Sequence, residues 1–127
     1  MIWTDEQKKA LVETYIQAYN RMDSVALLET LHPAVRFEHM IDQEVVLRLE
    51  GWEAFQQQFE STNALFKVHI QQLDVQQIQS DGLTANIQFY GKLKPTMEHP
   101  EPQELYLKGK AYYQFKDRKI IYIQDRQ

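Results

Sequence analysis

The sequence contains no cysteine, and this absence removes several kinds of chemistry at once. Disulfide bonds, thiolate zinc sites and cysteine nucleophiles are all excluded. A chain without disulfides fits a reducing compartment, so we expect a cytoplasmic protein. No apolar run approaches the roughly 18 residues that a membrane span needs, and the first residues have no basic segment followed by an apolar one. We therefore expect no signal peptide and no membrane partner.

Positive charge is also scarce. The 127 residues include 14 Lys and Arg against 18 Asp and Glu, which gives a formal net charge of −4. A nucleic-acid-binding surface needs a basic face that neutralises phosphates, and the basic residues here are scattered. We expect no nucleic-acid partner. At this length, residues 1–127 are expected to form a single domain with a core that needs no metal or disulfide.

Motifs that hold cofactors and metals are missing as well. The sequence has no nucleophile elbow, no glycine-rich phosphate loop and no Rossmann fingerprint, so we expect no cofactor. The histidines do not have the HxH or HxxxH spacing of metal ligands, and we expect no metal. They are His32, His39, His69 and His99. The pattern places His69, with Lys67 and Gln71, on the solvent face of a strand.

What the sequence does contain is clear periodicity, beginning with helices. Thr4 and Gln7 form a capping box, and an apolar stripe at three- and four-residue steps predicts a long helix over about 5–22. The stripe consists of Leu11, Val12, Tyr15, Ile16, Tyr19 and Met22. A short second helix follows Asp23 and ends before Pro33, because the residue before a proline is pushed out of the α region. Gly51 opens a third helix, whose buried side is predicted to carry Trp52, Phe55 and Phe59.

Alternating apolar and polar residues predict six strands. They cover 34–40, 45–49, 66–79, 83–94, 105–115 and 119–126. The alternation of the third strand slips near Gln71-Gln72, which predicts a bulge there. The order of elements is α-α-β-β-α-β-β-β-β. This order is typical of an α+β fold, in which the N-terminal helices cover the concave face of a curved antiparallel sheet.

Several short markers in this order resemble a known family. They are Tyr15 to Asn20 followed by Asp23, then Leu28 with His32-Pro33, then Gly51 to Phe55, and finally Ile120 to Asp125. From about residue 5 to residue 126, the chain resembles the nuclear transport factor 2-like superfamily, especially its SnoaL-like and ketosteroid-isomerase-like members. The resemblance implies a cone-shaped, cystatin-like α+β barrel around a pocket, and a homodimer through the outer face of the sheet. The superfamily includes isomerases, cyclases, dehydratases, hydrolases and binding modules, so the fold does not settle the function.

The resemblance also suggests roles for individual residues. Ketosteroid isomerases use a general-base aspartate on the first strand, together with an oxyanion hole made by a helix-one tyrosine and a protonated aspartate on a later strand. The matching positions here are His39, Tyr15 and Ala111. Ala111 cannot donate a hydrogen bond, which removes half of that oxyanion hole. Tyr15 is either a donor to an enolate or a core residue whose hydroxyl bonds to backbone, and His39 is either a proton-transfer group or a partly buried histidine without a catalytic role.

The last strand supplies a further candidate. SnoaL-like cyclases place their proton-abstracting aspartate on this strand, where Ile121, Ile123 and Asp125 are predicted to share a face. The resemblance implies that Asp125 is a general base whose pKa is raised by apolar neighbours. The alternative is a frayed strand end, or a surface salt bridge between Asp125 and Arg126.

Two hypotheses follow for the function. In the first, the protein binds a small, largely apolar molecule in an internal pocket and acts by cofactor-free proton abstraction next to a carbonyl. The reaction would be an isomerisation, an aldol cyclisation or a dehydration, with Tyr15, His39 and Asp125 as catalytic residues. In the second, the protein is a non-catalytic dimeric module that binds a ligand or another protein, which the missing donor at Ala111 favours.

Overall fold

The structure is a computed structural model that describes residues 2–127. Within that range, three helices and six strands follow one another in the order that the periodicity predicts. The elements are α1 (Asp5–Asn20), α2 (Ser24–Glu29), β1 (Leu31–Ile41), β2 (Glu44–Glu50), α3 (Gly51–Leu65), β3 (Phe66–Ile78), β4 (Gly82–Leu93), β5 (Gln103–Lys116) and β6 (Lys119–Arg126). None of these helices is long and apolar enough to cross a membrane.

The six strands form one curved, unclosed sheet in the order β2-β1-β6-β5-β4-β3. Neighbouring strands are antiparallel except for β1 and β6, which are parallel. Helices α1 and α3 pack on the concave face, α1 against β3 and α3 against β1. The result is the cone-shaped α+β fold that the sequence predicts, with the core between the helices and the sheet.

The first helix begins as its capping box predicts. The Thr4 Oγ1 atom accepts a hydrogen bond from the Gln7 backbone N–H at 3.1 Å, and the Gln7 Oε1 atom accepts one from the Thr4 N–H at 2.8 Å. The helix ends at Asn20, slightly before the predicted end at Met22, because Met22 adopts the left-handed conformation with φ of 58°. Asp23 then caps α2 with its side chain.

Register shifts decide which residues of β3 face the helices. The β3–β4 ladder shifts directly after Phe66 and again after Val75, and not at Gln71-Gln72 as the alternation predicted. Because the first shift inserts one residue, Phe66 and His69 both point toward the core. His69 is completely buried, so its predicted position on the solvent face was wrong.

Two other side chains lie where the simple pattern does not place them. A register shift between β5 and β6 puts Ile120, and not Ile121, on the buried face with Ile123. Trp52 was predicted on the buried side of α3, but it is 41% exposed. Its indole N–H donates to the Leu31 carbonyl oxygen at 2.9 Å, which ties the start of α3 to the start of β1.

Candidate functional site

A cavity of about 310 Å³ lies between the concave face of the sheet and helices α1 and α3. Its wall is largely apolar and aromatic. The apolar lining consists of Phe37, Leu47, Leu49, Phe55, Phe59, Phe66, Ile87, Phe89, Leu105 and Leu107. A concave site with apolar walls and a few polar groups is the usual form of a small-molecule pocket.

The three candidate residues from the sequence all line this cavity. Tyr15 projects from α1, His39 from β1 and Asp125 from β6. The sheet brings the last two together, because His39 and Asp125 are Cα partners in the parallel β1–β6 ladder. On the other side of β6, Asp125 is the partner of Ala111. The structure therefore brings Tyr15, His39 and Asp125 to one cavity, with Ala111 buried next to Asp125 on the neighbouring strand.

Asp125 is partly buried and carries a carboxyl group without a partner. Among residues 2–127, no side chain or backbone group donates a hydrogen bond to it, and it has no salt bridge. The alternative of a surface salt bridge between Asp125 and Arg126 is not found within residues 2–127. The Arg126 Nε atom instead donates to the Gln124 Oε1 atom at 2.7 Å. Burial raises the pKa of the Asp125 carboxyl from 3.8 to about 7. Near neutral pH, this carboxyl can therefore either take up or release a proton.

Tyr15 is 4% exposed and packs edge-to-face against the rings of Phe55 and Tyr113, at centroid distances of 6.4 and 6.1 Å. Burial raises the pKa of its phenol well above the ordinary value, with the charges of Tyr113 and Asp125 adding to the effect. The phenol stays protonated and is a hydrogen-bond donor. No backbone or side-chain group of residues 2–127 accepts from this hydroxyl, so it is available to a molecule in the cavity.

His39 lies farther out than the other two residues. It is partly buried, and its Nε2 atom is 3.2 Å from the Oε1 atom of Gln127, which also lines the cavity. Because a glutamine Oε1 atom only accepts, this contact is a hydrogen bond in the tautomer that carries the hydrogen on the His39 Nε2 atom. The histidine can orient a ligand or transfer a proton at the outer part of the site.

Tyr19 is a cavity residue to which the sequence analysis gave no role. It lies one helical turn after Tyr15 on the same apolar stripe and lines the same wall. Burial and the nearby Asp125 charge raise the pKa of the Tyr19 phenol, so it too is a donor. The i,i+4 spacing of the two tyrosines was the available signal, because residues at that spacing share one face of a helix.

Behind the aromatic wall lies His69. Its ring is 4.4 Å from the Tyr19 ring and 5.8 Å from the Phe66 ring, centroid to centroid. Its Nε2 atom donates to the Asn63 Oδ1 atom at 2.6 Å, while its buried Nδ1 atom has no partner within residues 2–127. Burial lowers the pKa of the His69 imidazole, which keeps it neutral.

Among residues 2–127, no group of three or more His, Cys, Asp or Glu side chains could hold a metal ion.

Comparison with known proteins agrees with this architecture. A family model described as the SnoaL-like domain matches residues 12–123. No curated protein matches the chain. A proposed polyketide cyclase from Xanthomonas campestris pv. campestris has a similar structure, with a TM-score of 0.75, 24% identity, and coverage of 96% of this chain and 90% of that one.

Two other solved structures share the fold at lower identity. A nuclear transport factor 2-like protein of unknown function from Burkholderia pseudomallei has a TM-score of 0.73 and 13% identity, covering 94% of this chain and 88% of that one. An epoxide hydrolase from M. tuberculosis, similar to LEH, has a TM-score of 0.73 and 10% identity, covering 95% and 82%. Because the family model spans most of the sequence, this chain belongs to the SnoaL-like domain family, and it has the fold of the nuclear transport factor 2-like protein.

Proposed function

We propose that the protein binds a small, largely apolar carbonyl compound in the cavity and catalyses a cofactor-free proton transfer. One observation carries this proposal: an unpartnered carboxyl, Asp125, and an unpartnered phenol, Tyr15, line one apolar cavity. Polar groups that face an apolar cavity without a protein partner are typical of ligand-binding and catalytic sites. The family and the relative named as a proposed polyketide cyclase support the same class of reaction.

In the proposed reaction, Asp125 is the general base. Its carboxylate takes a proton from the carbon next to the carbonyl, and the electron pair of that C–H bond becomes an enolate. The proton returns from Asp125 to another carbon in an isomerisation, or leaves with a hydroxide group as water in a dehydration. A pKa of about 7 suits this role, because a base works best when its pKa is near the working pH.

Tyr15 then stabilises the enolate oxygen. Donors that are already oriented toward developing charge are worth most in a site that excludes water. The Tyr15 hydroxyl meets this requirement, since its ring is held by Phe55 and Tyr113. Tyr19 supplies a second phenol from the same helix face. It offers a hydrogen-bond donor that Ala111, at the position of the protonated aspartate of ketosteroid isomerases, cannot offer. His39 is placed to orient the outer part of the ligand.

Hydrogen–deuterium exchange tests the proposal without knowledge of the natural substrate. A panel of small apolar ketones is incubated with the protein in deuterated water, and the loss of the α-proton signal is followed by NMR. We expect Asp125→Asn to slow protein-dependent exchange by on the order of 100-fold or more, and Tyr15→Phe by on the order of 10-fold. The matched control is Asp74→Asn, which removes an exposed carboxylate of β3 and should leave exchange unchanged.

The pH dependence of the exchange provides a second test. Exchange should rise as the pH passes through about 7, where Asp125 ionises. If no ketone in the panel exchanges faster with protein than without it, or if Asp125→Asn exchanges as fast as the wild type, the catalytic proposal is wrong. His39→Ala should mainly weaken ketone binding, because His39 lies at the outer part of the cavity.

A second candidate function is a non-catalytic homodimeric module. Two features favour it: Ala111 stands where ketosteroid isomerases have a hydrogen-bond donor, and the outer face of the sheet exposes an aromatic ring. There, Tyr106 is 70% exposed and its ring lies 5.0 Å from that of Tyr90. Exposed aromatic residues are common at protein interfaces. Sedimentation of the wild type and of Tyr106→Glu tests this candidate. A dimer that the substitution dissociates, together with no ketone exchange in deuterated water, would support it, and a wild-type monomer would exclude it.

A further inference from the structure

We propose that the molecule bound in the cavity is an amphipathic anion, whose apolar part enters the cavity while its carboxylate stays at the rim beside Lys108, Lys110 and Arg126. This inference rests on the proposed function, because it specifies the class of ligand for the same site. Its evidence is the charge and the solvent exposure of the residues around the opening of the cavity. The proton-transfer proposal does not use these features.

The position of the opening follows from which lining residues are exposed. Residues of α1, α3 and β1–β4 that line the cavity are buried or partly buried. The exposed lining residues all come from β5 and from the end of β6. They are Leu105, Leu107, Lys108, Lys110, Arg126 and Gln127. The cavity therefore opens to solvent beside β5 where β6 ends, and we call these six residues the rim.

The rim is basic in a chain that is acidic overall. Three of its six residues are cations and none is an anion, whereas the whole chain has a formal net charge of −4. Among residues 2–127, none of Lys108, Lys110 and Arg126 has a salt bridge. By strand alternation, Lys108, Lys110 and Arg126 leave the outer face of the sheet, whereas Leu107 and Asp125 leave the cavity face. The cations act on the opening through their field, which extends over roughly a Debye length, about 8 Å at physiological ionic strength.

The backbone brings these charges together. Lys110 and Arg126 are Cα partners in the antiparallel β5–β6 ladder, where like charges directly opposite each other are destabilising. The Arg126 carbonyl oxygen also packs on Gly109, so close that a Cβ atom there would lie 2.2 Å from it. The end of β6 is thus pressed against the segment that carries both lysines. An anion at this point would relieve the repulsion between the cations.

The apolar part of the ligand would follow the other rim residues inward. Leu105 and Leu107 are 37% and 36% exposed and lie on the cavity side of β5, so they form an apolar path past the cations. Beyond them, the wall is aromatic and aliphatic until it reaches Tyr15 and Asp125. This order of surfaces suits a molecule with one charged end and an apolar remainder.

Octanoate and octanamide provide a matched pair of test ligands, because they differ in charge but hardly in size. Binding is followed by amide chemical-shift titration of the full chain at about pH 6, where octanoate is ionised. We expect octanoate to bind about fivefold or more tightly than octanamide at low salt, and high salt should reduce this preference. The triple variant Lys108→Ala, Lys110→Ala, Arg126→Ala should bind the two compounds equally.

A control variant separates the position of the cations from net charge. Lys9→Ala, Lys67→Ala, Lys116→Ala removes three exposed cations elsewhere and should keep the preference for octanoate. Equal binding of both compounds in the wild type, with shifts in the cavity, would overturn this inference and leave the proposed function standing. Absence of binding by either compound would overturn this inference, while the proposed function depends on the exchange of the ketones. Binding to phosphatidylserine vesicles without binding to octanoate would assign the rim to a membrane surface and overturn the inference.

Discussion

His39 and Asp125 are Cα partners in the parallel ladder between β1 and β6, so their side chains leave the same face of the sheet. This is the parallel pair of an otherwise antiparallel sheet, and it joins the first strand to the last. The Asp125 site is therefore complete only when β6 lies between β1 and β5. Ala111, the partner of Asp125 on β5, closes the other side with a methyl group.

The raised pKa of Asp125 predicts how the stability depends on pH. The carboxyl binds a proton more tightly in the folded chain, with a pKa of about 7, than in the unfolded chain, with a pKa of 3.8. Its contribution to stability is therefore fully present below about pH 4 and is lost as the pH rises through 7. Urea unfolding should give the smallest difference between wild type and Asp125→Asn at about pH 4. At pH 8 the variant should be more stable than the wild type by about 2–4 kcal/mol. Parallel pH profiles for the two proteins would show that the carboxyl is not perturbed.

Ala111→Asp would place a second carboxyl directly opposite Asp125. Two carboxyls that share a site cannot both ionise easily, so the pair should titrate with one pKa above the value of about 7 for Asp125 alone. We expect this variant to lose roughly 2 kcal/mol or more of stability at pH 8 and less at pH 5. Carboxyl carbon NMR follows the titration. Ala111→Asn is the matched control, because it has a similar size without the charge, and its stability should not depend on pH in this way.

Much of the fold could be predicted because its elements are set by local periodicity. The capping box at Thr4, the order of the nine elements and the bounds of β6 all follow from residues that are close in sequence. Register shifts could not be located in this way, since one inserted residue reverses the faces of everything after it. For this reason, the alternation predicted His69 on the solvent face, and it predicted Ile121 on the face that Ile120 occupies in the structure.

The candidate site was less accessible to sequence analysis than the fold. Tyr15, His39 and Asp125 were named by resemblance to a family, and only the parallel pairing of β1 with β6 explains why they meet. No local pattern contains that pairing. The basic rim was not found either, because it depends on β6 ending at Arg126 while β5 continues to Gln103.

The hydrogen bond between His69 and Asn63 predicts a measurable loss of stability. Asn63→Ala leaves the buried Nε2–H group of His69 without an acceptor, which should cost about 1–3 kcal/mol in urea unfolding. Gln57→Ala on the exposed side of the same helix is the control and should cost less than about 0.5 kcal/mol. Because burial lowers the pKa of His69, the folded chain should also lose stability as the pH falls below about 6.5. If Asn63→Ala is as stable as the wild type, the hydrogen bond between His69 and Asn63 contributes nothing to stability.

Gly109 provides the last test, since it decides how the end of β6 closes against β5. A Cβ atom at this position would lie 2.2 Å from the Arg126 carbonyl oxygen, which is backbone and cannot rotate away. Gly109→Ala should therefore push the end of β6 from β5, lower the free energy of unfolding by about 1–3 kcal/mol, and shift the amide signals of the cavity rim. Gly82→Ala is the matched control. A Cβ atom there meets the Tyr112 ring at 2.8 Å, a side chain that can move, so we expect a smaller loss of stability and no change at the rim. Equal effects of the two substitutions would mean that the contact between Arg126 and Gly109 does not hold the rim in place.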